Sequence, residues 1–197
     1  MRDEISSIKD LPDNVSGFEM RRRFYFLGRW LKHGGYYGWV LRLLRRGRSR
    51  FVFSARAGEY AVIRGEKRKL NSDLLHVDQR SFTHWIQNQN RDSTKIALSL
   101  FEAGGRIRMP DLDSNEVQEG RFRAIANKIQ MALPLGVGLL LRFLYFYLVR
   151  GGLLDGWQGF AYCFLHEFWF PLLIELKMRE FPNNAYALEE AKRLTWR

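Results

Sequence analysis

The sequence has 197 residues, 46% of them hydrophobic, and its 32 Lys and Arg against 21 Asp and Glu give a formal net charge of +11. This length and composition suit one sizeable core, so we expect one domain with a helical appendage. The single cysteine, Cys163, excludes an internal disulfide bond. No apolar run of the signal-peptide kind follows Met1–Glu4, so we expect a cytoplasmic start.

The positive charge is concentrated in one part of the chain. No acidic residue occurs between Glu19 and Arg50, while the same stretch contains many basic residues. These are Arg21, Arg22, Arg23, Arg29, Lys32, Arg42, Arg45, Arg46, Arg48 and Arg50. One face of the protein must therefore be strongly basic, which suits the phosphates of nucleic acid, anionic lipid or a lipid-linked pyrophosphate. Charge alone does not choose among these ligands.

The first part of the chain is predicted to be mostly strands. A short helix is indicated by Ile5, Ile8 and Leu11 at helical spacing, and it ends at the turn 12–14. Runs rich in aromatic and β-branched residues then predict a series of strands. Their ranges are 18–26, 29–32, 39–44, 51–53, 60–63 and 74–76.

From Ser81 the hydrophobic period changes to that of a helix. Ser81 is placed to cap the N-terminus of this helix, and Gly104 and Gly105 are placed to end it. Further helices are predicted around 122–129 and over 185–194, on either side of a long apolar hairpin. The predicted fold class is α+β, with a small mixed or antiparallel sheet region followed by a C-terminal helical region that contains an amphipathic aromatic hairpin.

The stretch from Phe143 to Lys177 is predicted to form this hairpin. Its two apolar, aromatic arms join at Gly151 and Gly152, because glycine permits the positive φ that such a turn requires. Asp155 follows the turn and is placed to cap the free N–H groups of the second helix.

The hairpin is expected to lie in a membrane interface instead of crossing the bilayer. A spanning helix needs about 20 apolar residues, and an arginine at its centre costs about 2.5–3.5 kcal/mol. Here Arg142 interrupts the first arm, and His166 and Glu167 interrupt the second. Its aromatic residues include types that favour the headgroup region, namely Tyr145, Tyr147, Trp157, Tyr162 and Trp169. Alternatively, these rings pack a soluble helical core.

Three passages of the sequence carry a recognisable pattern. Residues 28–35 read Gly-Arg-Trp-Leu-Lys-His-Gly-Gly, and Arg-Leu-Leu-Arg follows at 42–45. Residues 58–65 read Gly-Glu-Tyr-Ala-Val-Ile-Arg-Gly, with Leu-Leu-His at 74–76, and residues 152–159 read Gly-Leu-Leu-Asp-Gly-Trp-Gln-Gly. Together these passages resemble the C-terminal part of bacterial family 2 glycosyltransferases that build lipopolysaccharide core and exopolysaccharide. The resemblance covers most of the chain.

The resemblance implies roles for individual residues. Glu59 would be the general base that takes a proton from an acceptor hydroxyl as the hydroxyl attacks the anomeric carbon. Arg42 would face phosphate, which a guanidinium binds through paired donors. The implied substrate-binding residues are Lys32, His33, Arg42, Arg45 and His76. From the residues alone, Glu59 is alternatively a surface acid, Arg42 a solvated strand arginine and His76 a strand-end histidine.

The resemblance also implies a division into two parts. Residues 1–108 would form the acceptor side of a partial catalytic domain, and residues 109–197 a helical, membrane-associating region. The family's donor half, with an Asp-x-Asp at the end of an apolar strand, has no counterpart here. Asp111-Leu112-Asp113 follows Pro110 and is interpreted as a helix-capping loop. We therefore expect a truncated chain with no metal or cofactor of its own, and Mg²⁺ or Mn²⁺ only with the missing donor half.

The implied activity is inverting transfer of a sugar from a nucleotide-sugar donor to a lipid-linked or core-oligosaccharide acceptor. The isolated chain is expected to be inactive without a donor-binding half. We expect it to be cytoplasmic and peripheral, on anionic lipid at the inner face of the bacterial plasma membrane. The alternative is a non-catalytic membrane-surface module derived from such an enzyme. Nucleic acid is not expected as a partner, because the aromatic residues cluster away from the basic strands and no recognition motif occurs.

Overall fold

The computed structural model describes residues 2–6, 8, 12–54, 58–104 and 133–195. The described chain divides into two compact units. Unit 1 contains Met1–Lys32 and Tyr36–Asp78, and unit 2 contains His33–Gly35 and Gln79–Arg197. The boundary predicted at residue 108 lies outside the described residues, and the observed division falls earlier, after Asp78.

Unit 1 is built around one long strand, β1 (Val15–Phe26). Four shorter strands pair with it and form a mixed sheet. The strands β2 (Arg29–Trp30) and β3 (Trp39–Leu44) run antiparallel to β1, whereas β6 (Glu66–Lys69) and β7 (Leu74–Val77) run parallel to it. Because β1 has 12 residues, β3 and β6 flank its first half and β2 and β7 its second half.

The remaining strands of unit 1 form a separate hairpin. The strands β4 (Ser49–Ser54) and β5 (Gly58–Ile63) pair antiparallel with each other. Before the sheet, a short helix α1 (Arg2–Ser6) is held by Glu4, whose carboxylate accepts hydrogen bonds from the backbone N–H groups of Asn71 and Ser72. A hydrogen bond from the Ser72 side chain, together with these backbone bonds, lowers the pKa of Glu4, since all of them favour its charged form.

The two faces of β1 differ in polarity because successive side chains in a strand point to opposite sides. Phe18 and Met20 lie on one face and form a buried core with Val15 and Leu70. Leu43 and Leu74 pack against this core from β3 and β7. The opposite face carries Glu19, Arg21 and Arg23. Over residues 18–21 the alternation therefore places apolar side chains in the core on one face and charged side chains, buried Glu19 and exposed Arg21, on the other.

Unit 2 is helical and begins with α2 (Phe82–Glu102). The predicted N-cap is confirmed, since the Ser81 hydroxyl accepts a hydrogen bond from the backbone N–H of His84 at 3.2 Å. The helix α2 packs against α5 (Phe170–Glu180) and α6 (Ala185–Thr195). Their shared core contains Ala97, Leu98, Phe181 and Ala191.

The predicted hairpin is present in unit 2. Its first arm is α3 (Leu135–Leu144), which continues as a π-helical turn over Tyr145–Val149. A 3-10 turn (Gly152–Asp155) leads into α4 (Gly156–Phe164), and a second π-helical turn (Leu165–Trp169) joins α4 to α5. The α+β class, with a sheet region followed by C-terminal helices, is therefore as predicted. The helix predicted around 122–129 lies outside the described residues.

Within the described ranges, no single helix is both long enough and apolar enough to cross a membrane. Gly136–Val149 and Gly152–Glu180 together reach that length and apolar character, but the pair is bent by 69°. The bend lies at the turn between the two arms.

Candidate functional site

The hairpin turn binds the glycine-rich loop at His33. The carboxylate of Asp155 accepts a hydrogen bond from the backbone N–H of His33 at 2.8 Å, and its second oxygen lies 2.9 Å from His33 Nδ1. The next residue of the loop, Gly34, donates its N–H to the carbonyl of Arg150 at 2.9 Å. Two of the passages quoted above, 28–35 and 152–159, are thus joined within unit 2.

Asp155 therefore has a different role from the predicted helix cap. Its side chain makes no hydrogen bond to the first N–H groups of α4. Both carboxylate oxygens are directed to His33, and Asp155 is buried. A buried carboxylate needs hydrogen-bond donors, and the loop supplies two of them. The prediction of capping was wrong because sequence spacing could not show the distant loop.

The glycines of the turn are required by geometry. Gly151 has a φ of 75°, in the left-handed region that glycine adopts at low cost. A side chain on Gly159 would overlap the carbonyl oxygen of Gly152 and approach Asp155 Cβ to 2.8 Å. A side chain on Gly152 would approach Cys163 Sγ to 2.6 Å. The turn and α4 are therefore packed at a distance that only glycine allows.

A buried ion pair connects the two arms of the hairpin. Arg142 in α3 donates to Glu167 Oε2 from both Nε, at 2.8 Å, and Nη2, at 2.6 Å. The other carboxylate oxygen of Glu167 lies 3.0 Å from His166 Nδ1. Glu167 is fully buried. The charges that interrupt the apolar arms in the sequence thus neutralise each other in the fold.

Lys177 fixes α5 to α2 inside unit 2. Its ammonium group donates to the side-chain oxygens of Asn90, Ser93 and Thr94 at 2.7 to 2.8 Å, and to the Asn90 carbonyl at 2.8 Å. Burial lowers the pKa of Lys177. None of these four acceptors is a carboxylate, so the Lys177 ammonium group is bound by neutral oxygens.

The end of the hairpin exposes an apolar surface. Val149 is 73% exposed, Trp157 63% and Leu154 59%, although all three are large and apolar. We call this surface the apolar hairpin end, and its residues are Leu148, Val149, Leu153, Leu154, Trp157 and Phe160. Such a concentration of exposed large apolar side chains around one turn is typical of a surface that contacts a membrane or another protein.

In unit 1, Arg42 lies at a bulge of the sheet. Glu19 of β1 lies opposite Leu41 and the adjacent Phe18 lies opposite Leu43, so Arg42 is the extra residue of β3. A bulge redirects the side chain of the extra residue, and bulges are common next to active sites. Arg42 is exposed to solvent.

His76 is placed near Arg42 and Arg22. Its ring lies against Phe24 on the neighbouring strand, with ring centres 5.2 Å apart. The surrounding protein desolvates the imidazole and lowers its pKa, and the positive charges of Arg22 and Arg42 lower it further. The carboxylate of Asp78 acts in the opposite direction but has the smallest effect, so Arg22 and Arg42 leave a positive potential around His76 that suits an anion.

The other predicted residues lie elsewhere. Lys32 is exposed, with Nζ 4.7 Å from the centre of the Trp30 ring. Arg45 is exposed and pairs with Asp13 at 2.9 Å. Glu59 has its backbone in β5, opposite Phe53, and its side chain lies outside the described part. Of the predicted substrate-binding set, Arg42 and His76 both belong to unit 1, where the charge of Arg42 acts on His76, while His33 belongs to unit 2.

Arg22 is a member of the His76 neighbourhood that the sequence analysis missed. Its position in the sequence could have indicated this, because residues two apart in a strand share a face, as Arg22 and Phe24 do. With three arginines in succession, however, the sequence alone did not single out Arg22. Among the described side chains, no group of three or more His, Cys, Asp or Glu is arranged to hold a metal ion. Asp111 and Asp113 lie outside the described residues.

Comparison of the chain with protein-family models, curated proteins and solved structures gives no significant match.

Proposed function

We propose that this protein is a glycosyltransferase-like protein of cell-envelope polysaccharide synthesis. It transfers a sugar from a nucleotide-sugar donor to a lipid-linked or oligosaccharide acceptor, together with a donor-binding half in cis or on a partner chain. The observation that carries this proposal is the contact between His33 and Asp155. These residues belong to two separate passages that resemble family 2 glycosyltransferases, and their direct contact brings parts of both passages together.

The chemistry assigned to unit 1 follows from its charges. Arg42, Arg22 and His76 bind a phosphate group of the donor or acceptor, and the guanidinium groups offer paired donors for it. Lys32 and Arg45 add positive charge at the surface. Glu59 accepts the proton of the attacking acceptor hydroxyl.

The protein acts at the inner face of the bacterial plasma membrane. Support comes from the apolar hairpin end, whose Trp157 and Leu154 are exposed. An amphipathic helix with such residues lies in the interface plane, and basic residues strengthen its binding to anionic lipid. The buried Arg142–Glu167 pair allows the arms to present an apolar surface without a charge directed to lipid.

A transfer assay tests the catalytic part of this proposal. With a donor half fused or co-expressed, release of nucleoside diphosphate from a nucleotide sugar is measured in the presence of isolated envelope lipids. Glu59→Gln should lower turnover by about 10²–10⁴-fold, since the amide keeps the shape but cannot accept the proton. Glu66→Gln on β6 is the control and should cost little. Equal activity of wild type and Glu59→Gln would remove Glu59 from the mechanism.

Sedimentation with vesicles tests the membrane part. The protein should sediment with anionic vesicles and be released by carbonate or high salt, because interfacial binding combines apolar burial with screened charge. Trp157→Ser with Leu154→Ser should reduce sedimentation, whereas Tyr186→Ser, an exposed aromatic on α6, should not. Resistance to carbonate would indicate a spanning hairpin. Vesicle binding without transfer by any donor half would favour the alternative, a non-catalytic membrane-surface module.

A further inference from the structure

The charged face of the β1 sheet carries a row of basic and aromatic side chains. Aromatic residues were expected away from the basic strands, but Trp30, Tyr37 and Trp39 lie beside basic side chains of the sheet. We call this row the basic aromatic strip. Its residues are Arg21, Arg23, Trp30, Lys32, Tyr37, Trp39 and Lys69, all in unit 1.

One end of the strip is centred on Trp39. Lys69 Nζ lies 4.7 Å from the centre of the Trp39 ring, and the guanidinium carbon of Arg21 lies 5.0 Å from it. The same guanidinium lies 5.5 Å from the Tyr37 ring. Backbone pairing explains this arrangement, since Trp39 lies opposite Arg21 and Lys69 lies opposite Glu19 on β1.

The other end is centred on Trp30. Its ring meets Tyr37 edge to face, with centres 5.3 Å apart. The guanidinium carbon of Arg23 lies 4.3 Å from the Trp30 ring centre and Lys32 Nζ lies 4.7 Å from it. The contacts from Lys69 to Lys32 are therefore continuous along the sheet.

One carboxylate balances only part of this charge. Asp73 accepts hydrogen bonds from Arg23 at 2.6 and 3.1 Å and from the Tyr37 hydroxyl at 3.0 Å. Within the part of the chain that the structure describes, no carboxylate forms an ion pair with Arg21, Lys32 or Lys69. All three are exposed. Arg21, Lys32 and Lys69 thus present positive charge to solvent along the strip.

The aromatic rings hold these cations in position. Each exposed cation–π contact contributes about 0.5–1 kcal/mol. It also restricts a long, flexible side chain before a ligand arrives, which reduces the entropy lost on binding. Arg21 and Arg23 are two residues apart on one strand face, so their Cα atoms are about 7 Å apart. At this spacing the two cations can each meet a separate anionic group along an extended ligand.

We infer that the basic aromatic strip binds an oligosaccharide that carries several phosphate or carboxylate groups. The inference rests on the proposed function, because such a saccharide would be the acceptor. Single-stranded nucleic acid fits less well, since its bases stack on open aromatic faces. Here Arg21 and Lys69 lie over Trp39, and Arg23 and Lys32 lie over Trp30.

Binding of hexagalacturonate to the whole chain tests this inference by calorimetry. Maltohexaose serves as the uncharged probe, oligothymidylate as the nucleic acid, and vesicles of phosphatidylcholine and phosphatidylglycerol as the membrane. Hexagalacturonate should bind at physiological salt and maltohexaose should not. Arg21→Gln with Lys69→Gln should weaken hexagalacturonate binding by about tenfold or more, equivalent to at least about 1.4 kcal/mol.

The matched control is Arg46→Gln with Arg68→Gln, which removes two exposed charges of the same unit outside the strip. It should change the Kd by less than about twofold, because Arg68 lies on the other face of β6 from Lys69, and exposed charges outside the strip are screened. Trp39→Leu removes no charge and should also weaken binding, since it releases both cations. Thermal melting checks that each variant is folded. If Trp39→Leu does not fold, the Gln variants of exposed residues still test the inference.

Three results would overturn the inference. Equal losses in the two double variants would mean that only net charge matters. Tighter, strip-dependent binding of oligothymidylate would identify a nucleic-acid surface, and strip-dependent binding to vesicles without hexagalacturonate binding would identify a membrane contact. None of these assays needs a donor half. Saccharide binding without sugar transfer would therefore reject the proposed function and leave the inference about the strip intact. Sugar transfer that the strip variants do not affect would reject the strip as the acceptor site and leave the proposed function intact.

Discussion

Asp155 and His33 are 122 residues apart in the sequence and form two hydrogen bonds through one buried carboxylate. One bond comes from the backbone N–H of His33, so Asp155 fixes the backbone of the loop as well as the imidazole. Every residue type except proline has this N–H group. The loop 33–35 is thereby part of unit 2, although the chain on both sides of it belongs to unit 1.

The first prediction concerns this contact. Asp155→Ala leaves the N–H of His33 without its acceptor, and we expect a loss of about 1–3 kcal/mol in the free energy of unfolding. Urea denaturation measures it. Asp13→Ala, which removes an exposed partner of Arg45, is the control and should cost about 0–1 kcal/mol. Similar losses in both variants would show that the Asp155 contact adds nothing beyond a surface ion pair.

The second prediction concerns the buried pair in the hairpin. Glu167→Gln leaves Arg142 charged, buried and without its counter-ion, and should destabilise the protein by about 3–5 kcal/mol. Replacing both residues by Met should recover most of this loss, because no buried charge then remains. Glu175→Gln, in an exposed pair with Arg179, should change stability by less than about 1 kcal/mol. A double variant as unstable as Glu167→Gln would contradict the argument.

The third prediction follows from the lowered pKa of His76. Desolvation and the charges of Arg22 and Arg42 disfavour the imidazolium, so the pKa of His76 lies below its ordinary value of 6.5. A bound anion favours the charged ring, so diphosphate should raise this pKa and bind more tightly as the falling pH protonates His76. Titration of the His76 ring proton by NMR, with and without diphosphate, measures both effects.

Substitution at Arg42 provides the control for that titration. Arg42→Gln removes a repelling charge, so the pKa of His76 should rise in the absence of ligand, and diphosphate should bind more weakly. Arg46→Gln should leave the pKa and the affinity nearly unchanged. If diphosphate does not shift the pKa of His76, the anion does not bind beside it.

The helices and strands with a clear hydrophobic periodicity could be predicted from the sequence. The helix from Phe82, its Ser81 cap, and the turn at Gly151 depend on local rules of spacing and capping. The strand β3 was predicted with its observed ends. The strand β6 was missed, because Glu66–Lys69 contains only charged residues and forms a strand through pairing with β1.

The contacts that define the candidate site depend on pairs far apart in the chain. Arg42 becomes the extra residue of a bulge only because β3 pairs with β1 in one register. Arg142 and Glu167 were interpreted separately as interruptions of two apolar helices, and neither position reveals that the side chains meet. Local patterns predict elements, whereas the register and partner of an element are set by packing.

The last prediction concerns the close packing of the turn against α4. In an isolated helix, replacing glycine by alanine is favourable by up to about 1 kcal/mol. Gly159→Ala should nevertheless destabilise the protein by about 1–3 kcal/mol, because its Cβ would overlap the Gly152 carbonyl and force the turn to move. Gly136→Ala in α3 is the matched control, since a Cβ there meets no atom within 4 Å, and it should stabilise the protein or leave it unchanged. Chemical denaturation compares the two. The displaced turn should also weaken the Asp155–His33 contact, so the loss from Asp155→Ala should be smaller in a Gly159→Ala background. If Gly159→Ala is as stable as Gly136→Ala, the turn can relax without cost and its glycines are not required by packing.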